Sequence, residues 1–167
     1  IVASGHTADD IPTQLDEAKR FIDLGIDGYV FISNRLAKQD ESDDVFLKNV
    51  DIFMNEIQDT AFGVYECPYP YKRLVTPKIL DWALSTGRFY YMKDTCCDAA
   101  VIAERCRQLE GSHFALLNAN CQTLLESLRA GAKGYCGIMC NYHPALYAWL
   151  GNNFDKEPEK AELLQSF

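Results

Sequence analysis

The chain has 167 residues, which is long enough to bury one sizeable core. Of these residues 48% are hydrophobic and 24% are charged. Its formal net charge of −8 argues against a nucleic-acid-binding surface and against adhesion to an anionic membrane, because both need clustered lysine and arginine. No apolar run in the sequence approaches the roughly 20 residues of a membrane-spanning helix. The chain opens directly on apolar residues, Ile1 to Ala3, and we expect it to begin inside a domain.

Seven cysteines and three histidines raise the question of a disulfide or metal site. No C-x-x-C pair occurs and the histidines lie far apart in sequence, so the ligand spacing of zinc sites is absent. Free, mostly buried thiols are typical of a reducing cytosol, and we predict a cytoplasmic protein without metal or cofactor. A thiol sensor or enzyme that uses Cys67, Cys96 or Cys97 is a weaker alternative.

Six short apolar runs recur at intervals of roughly 20 to 35 residues, about the size of one βα unit. Each run is too short for a helix and is bounded by glycine or polar residues, so each predicts a strand. Consecutive apolar residues favour parallel strands that are covered on both faces. The predicted strands are Ile1–Ser4, Tyr29–Ser33, Phe62–Glu66, Phe89–Lys93, Phe114–Leu117 and Tyr135–Met139.

Amphipathic stripes between these runs predict helices that pack one face on the sheet. The stripes are Ile11-Leu15-Ala18-Ile22, Phe46-Val50-Phe53-Ile57, Ile102-Cys106-Leu109 and Leu125-Leu128-Ala132. Helix starts are predicted from Thr7 with Asp10, which resembles a capping box, and from Thr76-Pro77, Asp98 and His143-Pro144. Helix ends are predicted just before Gly25, Gly87, Gly111 and Gly131.

Six alternations of strand and helix predict a parallel sheet with right-handed crossovers. An open doubly wound sheet and a closed (β/α)8 barrel both satisfy this pattern. No G-x-G-x-x-G or P-loop sequence follows a predicted strand, which weakens the nucleotide-binding form of the open sheet. The polar segment Leu36–Asp44 is predicted as a solvated loop, with a substrate-facing lid as the alternative.

In both architectures the active site lies at the carboxyl ends of the strands. Lys93 ends an apolar, aromatic strand, where a desolvated amine could attack a carbonyl carbon to form a Schiff base. The alternative is a structural lysine paired with Asp94 or another carboxylate. Tyr65 ends the preceding strand, and its phenol could relay protons beside such a lysine or could simply pack with its hydroxyl satisfied. Adjacent barrel strands would put Tyr65 and Lys93 side by side.

Three motifs together resemble the dihydrodipicolinate synthase and N-acetylneuraminate lyase family. They are Tyr65-Glu66-Cys67-Pro68, Lys93-Asp94-Thr95 and Gly134-Tyr135-Cys136-Gly137-Ile138, and Ile1 to Gly5 resembles that family's third strand. The resemblance implies a (β/α)8 barrel of which this chain holds six βα units, the third to the eighth. On this basis we expect a partial barrel over residues 1–154 and the start of a C-terminal helical extension over 155–167.

The same resemblance implies a class I aldolase that acts on a 2-oxo acid such as pyruvate together with an aldehyde. Lys93 would form the imine, Tyr65 would shuttle the proton, and the backbone at Cys136, Gly137 and Ile138 would line the site. No cofactor or metal is implied, and the family suggests a homo-oligomer, either a tetramer or a dimer.

Departures from the family pattern predict a divergent aldolase or hydratase-aldolase rather than a true dihydrodipicolinate synthase. Pro70 stands where those synthases carry a carboxylate-holding arginine, for which Lys72 or Arg73 could substitute. Glu66 replaces the family asparagine, and residues 33–36 lack the family tyrosine. A non-catalytic binding or regulatory protein on the same scaffold is the alternative function, because fold does not fix function.

Overall fold

Strands and helices alternate along the chain as the sequence pattern predicts. A computed structural model describes residues 1–5, 8 and 10–167. These residues form two compact units, 1–92 and 93–167. The six strands are parallel and follow one another in the sheet in chain order, which is an incomplete (β/α)8 barrel.

The first unit carries the first three strands and most of the fourth. Its elements are β1 (Val2–Ala3), α1 (Ile11–Asp23), β2 (Gly28–Ile32), α2 (Ser33–Leu36), α3 (Asp43–Glu56), β3 (Ala61–Tyr65), α4 (Pro77–Thr86) and the beginning of β4 (Phe89–Asp94). β2 pairs in parallel with β3 over its whole length, so that Ile32 lies opposite Tyr65. The Phe62 N–H donates to the Arg88 carbonyl at 2.8 Å, which joins β3 to the start of β4.

Aromatic side chains fill the space between sheet and helices in the first unit. Phe31 of β2 lies edge-on to Phe53 of α3, with ring centroids 5.1 Å apart, and Phe62 of β3 lies 5.0 Å from Phe31. All three rings are buried. Because side chains alternate along a strand, this row assigns Phe62 and Val64 to the helix-facing side of β3 and leaves Tyr65 on the opposite side.

The second unit contains the end of β4 and the remaining elements. They are α5 (Ala99–Gln108), β5 (Ala115–Asn118), α6 (Leu124–Arg129), β6 (Gly134–Tyr135), a 3-10 helix (Ile138–Asn141), α7 (Pro144–Asn153) and α8 (Pro158–Ser166). Leu124, Leu125, Leu128, Leu150 and Ala161 form its buried apolar cluster. α8 lies in the predicted C-terminal extension, whose boundary at residue 154 stays a prediction.

Most predicted helix ends are confirmed. Asp98 accepts backbone hydrogen bonds from Ala100 and Val101, and Thr76 accepts one from Ile79. Gly87 ends α4 in the left-handed conformation with φ of 66°, and Gly25, Gly111 and Gly131 also have positive φ. His143 precedes α7 but makes no side-chain capping hydrogen bond.

Two local predictions are wrong or incomplete. Thr7, the first residue of the predicted capping box, lies outside the described residues; Asp10 itself caps α1 by accepting the Thr13 N–H at 2.8 Å. The predicted strand from Tyr135 to Met139 is wrong beyond Tyr135, because the chain turns at Gly137 into the 3-10 helix.

The part of the chain that the structure describes contains no helix with the length and hydrophobicity that a membrane span requires.

Candidate active site at the carboxyl ends of the strands

The end of β4 is fixed by a buried ion pair. Asp94, the last residue of the strand, is fully buried and pairs with Arg105 of α5, which is also buried. The second oxygen of the Asp94 carboxylate accepts the Cys96 N–H at 2.8 Å. Since Asp94 faces α5, the alternation of a strand directs its half-buried neighbour Lys93 to the opposite, inner side of the sheet.

The ends of β5 and β6 lie beside the end of β4 within the second unit. The Asp94 carbonyl accepts the Ala119 N–H at 2.9 Å, and the Asn118 carbonyl accepts the Cys136 N–H at 2.8 Å. One strand therefore separates Lys93 from Cys136, a distance of about 10 Å at the usual spacing between strands. Both predicted positions lie at the same edge of this part of the sheet.

The segment from Cys136 to Ile138 is held by the residue that precedes it. Tyr135 packs against the apolar cluster of the second unit and stacks on Tyr147 with ring centroids 4.4 Å apart. Gly137 passes so close to Tyr135 that a Cβ there would lie 2.1 Å from the ring, so only glycine fits without displacement. Ile138 begins the 3-10 helix and is 74% exposed.

Tyr65 occupies the equivalent place in the first unit. It is the last residue of β3, half-buried, and on the side of the strand that faces away from the helices. Glu66, which follows it, is fully buried, and its carboxylate accepts the Val75 N–H at 2.7 Å. The glutamate at the position of the family asparagine therefore closes the loop after β3.

Asn34, which follows β2, fixes that same loop from its other side. Its side-chain amide nitrogen lies within hydrogen-bond distance of the carbonyls of Cys67, Tyr69 and Tyr71, at 2.8, 2.9 and 2.5 Å. Tyr71 in turn donates its hydroxyl to the Asn34 carbonyl at 2.8 Å. The backbone directly after Tyr65 is thus held by its own unit.

Arg73, one of the two candidates to replace the family arginine, is engaged by groups of its own unit. Its buried guanidinium donates to the carbonyls of Lys38 and Glu41 at 2.8 and 2.9 Å and pairs with Asp43 at 3.0 Å. These bonds brace the segment 36–44, which sequence reasoning treated as a solvated loop. Lys72, the other candidate, is exposed.

Cys96, near the end of β4, and Cys106, in α5, are poorly suited to thiolate chemistry. The pKa of Cys96 is raised to about 12, mainly by burial and further by the hydrogen bond to the Asp94 carboxylate. Burial also raises the pKa of Cys106. Both thiols are therefore protonated near neutral pH, which counts against the thiol-enzyme alternative at Cys96. All seven cysteines are free, and no group of three or more His, Cys, Asp or Glu among the described residues could hold a metal ion.

Sequence reasoning missed Arg105. It lies within the buried stripe of α5, between Ile102 and Cys106, and an arginine on the apolar face of a helix indicates a buried acidic partner. That partner could not be chosen from sequence alone.

Three solved structures illustrate the proteins whose fold is similar to that of this chain. A prophage protein of the dihydrodipicolinic acid synthase family from E. coli K12, in complex with pyruvate, is 18% identical, with a TM-score of 0.81 over 95% of this chain and 53% of its own. The sialic acid aldolase of Ruminococcus gnavus, in a variant of its catalytic lysine, is 15% identical, with a TM-score of 0.82 over 99% and 53% of the two chains. The 2-keto 3-deoxygluconate aldolase of Picrophilus torridus is 18% identical, with a TM-score of 0.80 over 95% and 56%.

This chain spans about half the length of the structures that it matches. No protein-family profile and no curated protein matches its sequence. The resemblance seen in the sequence is confirmed at the level of the fold, which is part of the barrel that these aldolases and synthases share.

Proposed function

We propose that the protein is a class I aldolase or lyase that forms a Schiff base between Lys93 and a 2-oxo acid such as pyruvate. The observation that carries this proposal is the position of Lys93 at the carboxyl end of β4, on the side of the strand opposite α5. Active sites of (β/α)8 enzymes are built at that end of the strands. The sialic acid aldolase with the same fold is described as having a catalytic lysine.

The chemistry begins with the neutral Lys93 amine, which attacks the keto carbon and forms a C–N bond. Loss of water from the carbinolamine gives the protonated imine, which draws electrons from the neighbouring carbon. A proton leaves that carbon, and the resulting enamine attacks the aldehyde carbon while the aldehyde oxygen gains a proton. Water then hydrolyses the new imine and releases both the product and the Lys93 amine. Cleavage is the same sequence in reverse.

In this scheme Tyr65 carries protons, because a phenol can donate to the carbinolamine oxygen and to the aldehyde oxygen. The loop that follows Tyr65 is braced by hydrogen bonds with the side chains of Glu66 and Asn34, which supports a fixed position for the Tyr65 hydroxyl. The backbone of Cys136, Gly137 and Ile138 lines the substrate, and the glycine lets this backbone pass close to the Tyr135 ring.

The co-substrate differs from that of true dihydrodipicolinate synthases. Position 70 is proline, and Arg73 is committed to the backbone of segment 36–44 and to Asp43. We therefore propose a divergent aldolase or hydratase-aldolase, cytoplasmic and homo-oligomeric, without cofactor. A binding or regulatory protein on this scaffold is the second candidate, and the commitment of Arg73 favours it because a carboxylate-holding cation would then be missing.

Borohydride trapping distinguishes the two functions. Incubation with pyruvate and sodium borohydride should add one reduced pyruvate unit at Lys93, located by peptide mass mapping. Lys93→Ala should abolish the adduct, whereas Lys160→Ala, on the exposed surface of α8, should not. Thermal stabilisation by 2-oxo acids without an adduct or turnover would instead support a binding protein.

A further inference from the structure

The buried pair of Asp94 and Arg105 has a consequence for the residue beside it, which rests on the proposed function. Asp94 is 0% exposed and Arg105 is 4% exposed. Burying two charges costs several kcal/mol for each ion, and a well-packed apolar pair is often as stable or more stable. Stability alone therefore gives no reason for an ion pair at the end of β4.

Asp94 is held from three directions. Its carboxylate pairs with Arg105 of α5 and accepts the Cys96 N–H, and its carbonyl accepts the N–H of Ala119 after β5. The first bond ties the strand to the following helix, the second shapes the loop, and the third fixes the neighbouring strand. Lys93 precedes this anchored residue and projects to the opposite side.

The neighbouring strand β5 also ends on a buried polar side chain that bonds to the loop and to the following helix, but this side chain is uncharged. Asn118 accepts the Asn120 N–H at 2.7 Å and donates to Ser127 of α6 at 3.1 Å. A neutral asparagine is therefore sufficient to anchor a strand end in this unit. In the second unit, a charged residue, Asp94, takes this place at the end of the strand that carries Lys93. Charge-assisted hydrogen bonds are roughly twice as strong as neutral ones, and Arg105 balances the charge of the buried Asp94 carboxylate.

We infer that Arg105, acting through Asp94, is a positioning residue that holds the end of β4 so that the Lys93 amine meets the keto carbon in a reactive geometry. Lysine reaches its substrate at the end of a flexible four-carbon stem, so a small rotation of its backbone moves the amine considerably. A misplacement of about 1 Å at a reacting group can lower a rate about 100-fold.

The decisive variant is the double substitution Asp94→Leu with Arg105→Met, which removes both charges and keeps apolar volume. Replacement of an ion pair in this way is often neutral for stability, and the loss of the acceptor for the partly buried Cys96 N–H should cost about 1–3 kcal/mol. The variant should therefore retain its circular-dichroism spectrum with a modestly lower thermal midpoint. The rate of borohydride trapping of pyruvate should nevertheless fall about 100-fold, with a much smaller change in the KM for pyruvate. Arg129→Met, which breaks the exposed pair with Glu162 in the same unit, should trap at the wild-type rate.

If the folded double variant traps pyruvate at the wild-type rate, the positioning role is overturned. A pair of Asp94 and Arg105 that served only the stability of the fold would give that result. If the double variant does not fold, Arg105→Lys provides the test. It keeps the charge but not the planar guanidinium, and it should trap at least about tenfold more slowly. An unchanged rate would again reject the inference. If the wild-type protein itself forms no adduct at Lys93, the proposed function fails and this inference fails with it.

Discussion

Substitution of Gly137 by alanine tests the close packing at the edge of the site. The added Cβ would lie 2.1 Å from the Cζ and hydroxyl oxygen of Tyr135, whereas ordinary contacts begin at 3.4 Å. The Cβ and the Tyr135 ring must therefore move apart by 1.3 Å to reach an ordinary contact, and by 0.9 Å to reach even the shortest separation that real Cβ atoms show, 3.0 Å. Either the tyrosine ring or the backbone of residues 136–138 has to move.

Neither movement is free. The Tyr135 ring stacks on Tyr147 and packs against the apolar cluster of the second unit, so displacing it disturbs well-packed groups. Overpacking of this kind costs about 1–3 kcal/mol. For a chain of this size each kcal/mol lowers the midpoint of thermal unfolding by about 2–4 °C. Displacement of the backbone instead should slow imine formation at Lys93.

The assay is thermal unfolding followed by circular dichroism, with trapping of pyruvate measured on the same samples. Gly151→Ala is the matched control, because its Cβ would meet no atom within 4 Å in α7 and alanine favours a helix by up to about 1 kcal/mol. Gly137→Ala should melt below the wild type while Gly151→Ala melts at or above it. A Gly137→Ala protein with both the wild-type midpoint and wild-type trapping would refute the reasoning.

Three further predictions concern Tyr65, Arg73 and Cys96. Tyr65→Phe should lower turnover about 100-fold while still allowing the Lys93 adduct to form, and an unchanged kcat would remove Tyr65 from proton transfer. Arg73→Met should lower the free energy of unfolding by about 1–3 kcal/mol in urea titrations, because the carbonyls of Lys38 and Glu41 lose their buried donor, whereas exposed Lys72→Met should change it little. Cys96, with its pKa raised to about 12, should be alkylated by iodoacetamide at pH 8 much more slowly than exposed Cys97, and peptide mapping that shows the reverse order would contradict the burial of Cys96.

The succession of strands and helices was predictable because each element follows from a local pattern. Apolar runs of four or five residues, helical stripes and caps such as Asp98 act within a few residues of the chain. The end of the last strand was not predictable in the same way. Residues 135–139 are as apolar as a strand, but the strand ends at Tyr135, whose ring packs against the helices and lies close to Gly137.

The candidate site shows the same division. Lys93 was found because a lysine at the end of an aromatic strand is unusual, which is visible in one short segment. Its support was not found, since Arg105 meets Asp94 across 11 residues. The contacts of Arg73 in the first unit were equally hidden, because it meets the carbonyl of Lys38 across 35 residues. Such partners are chosen by the fold, and the sequence marks them only as polar residues on apolar faces.

The formation of an imine at Lys93 is the central claim, and reduction of that imine tests it most directly. The purified protein, incubated with pyruvate and borohydride, should gain one reduced pyruvate unit on the peptide that contains Lys93. The adduct should be absent from Lys93→Ala and present in Lys160→Ala. A folded protein that turns over a 2-oxo acid without this adduct, or with an adduct that persists in Lys93→Ala, would contradict the account.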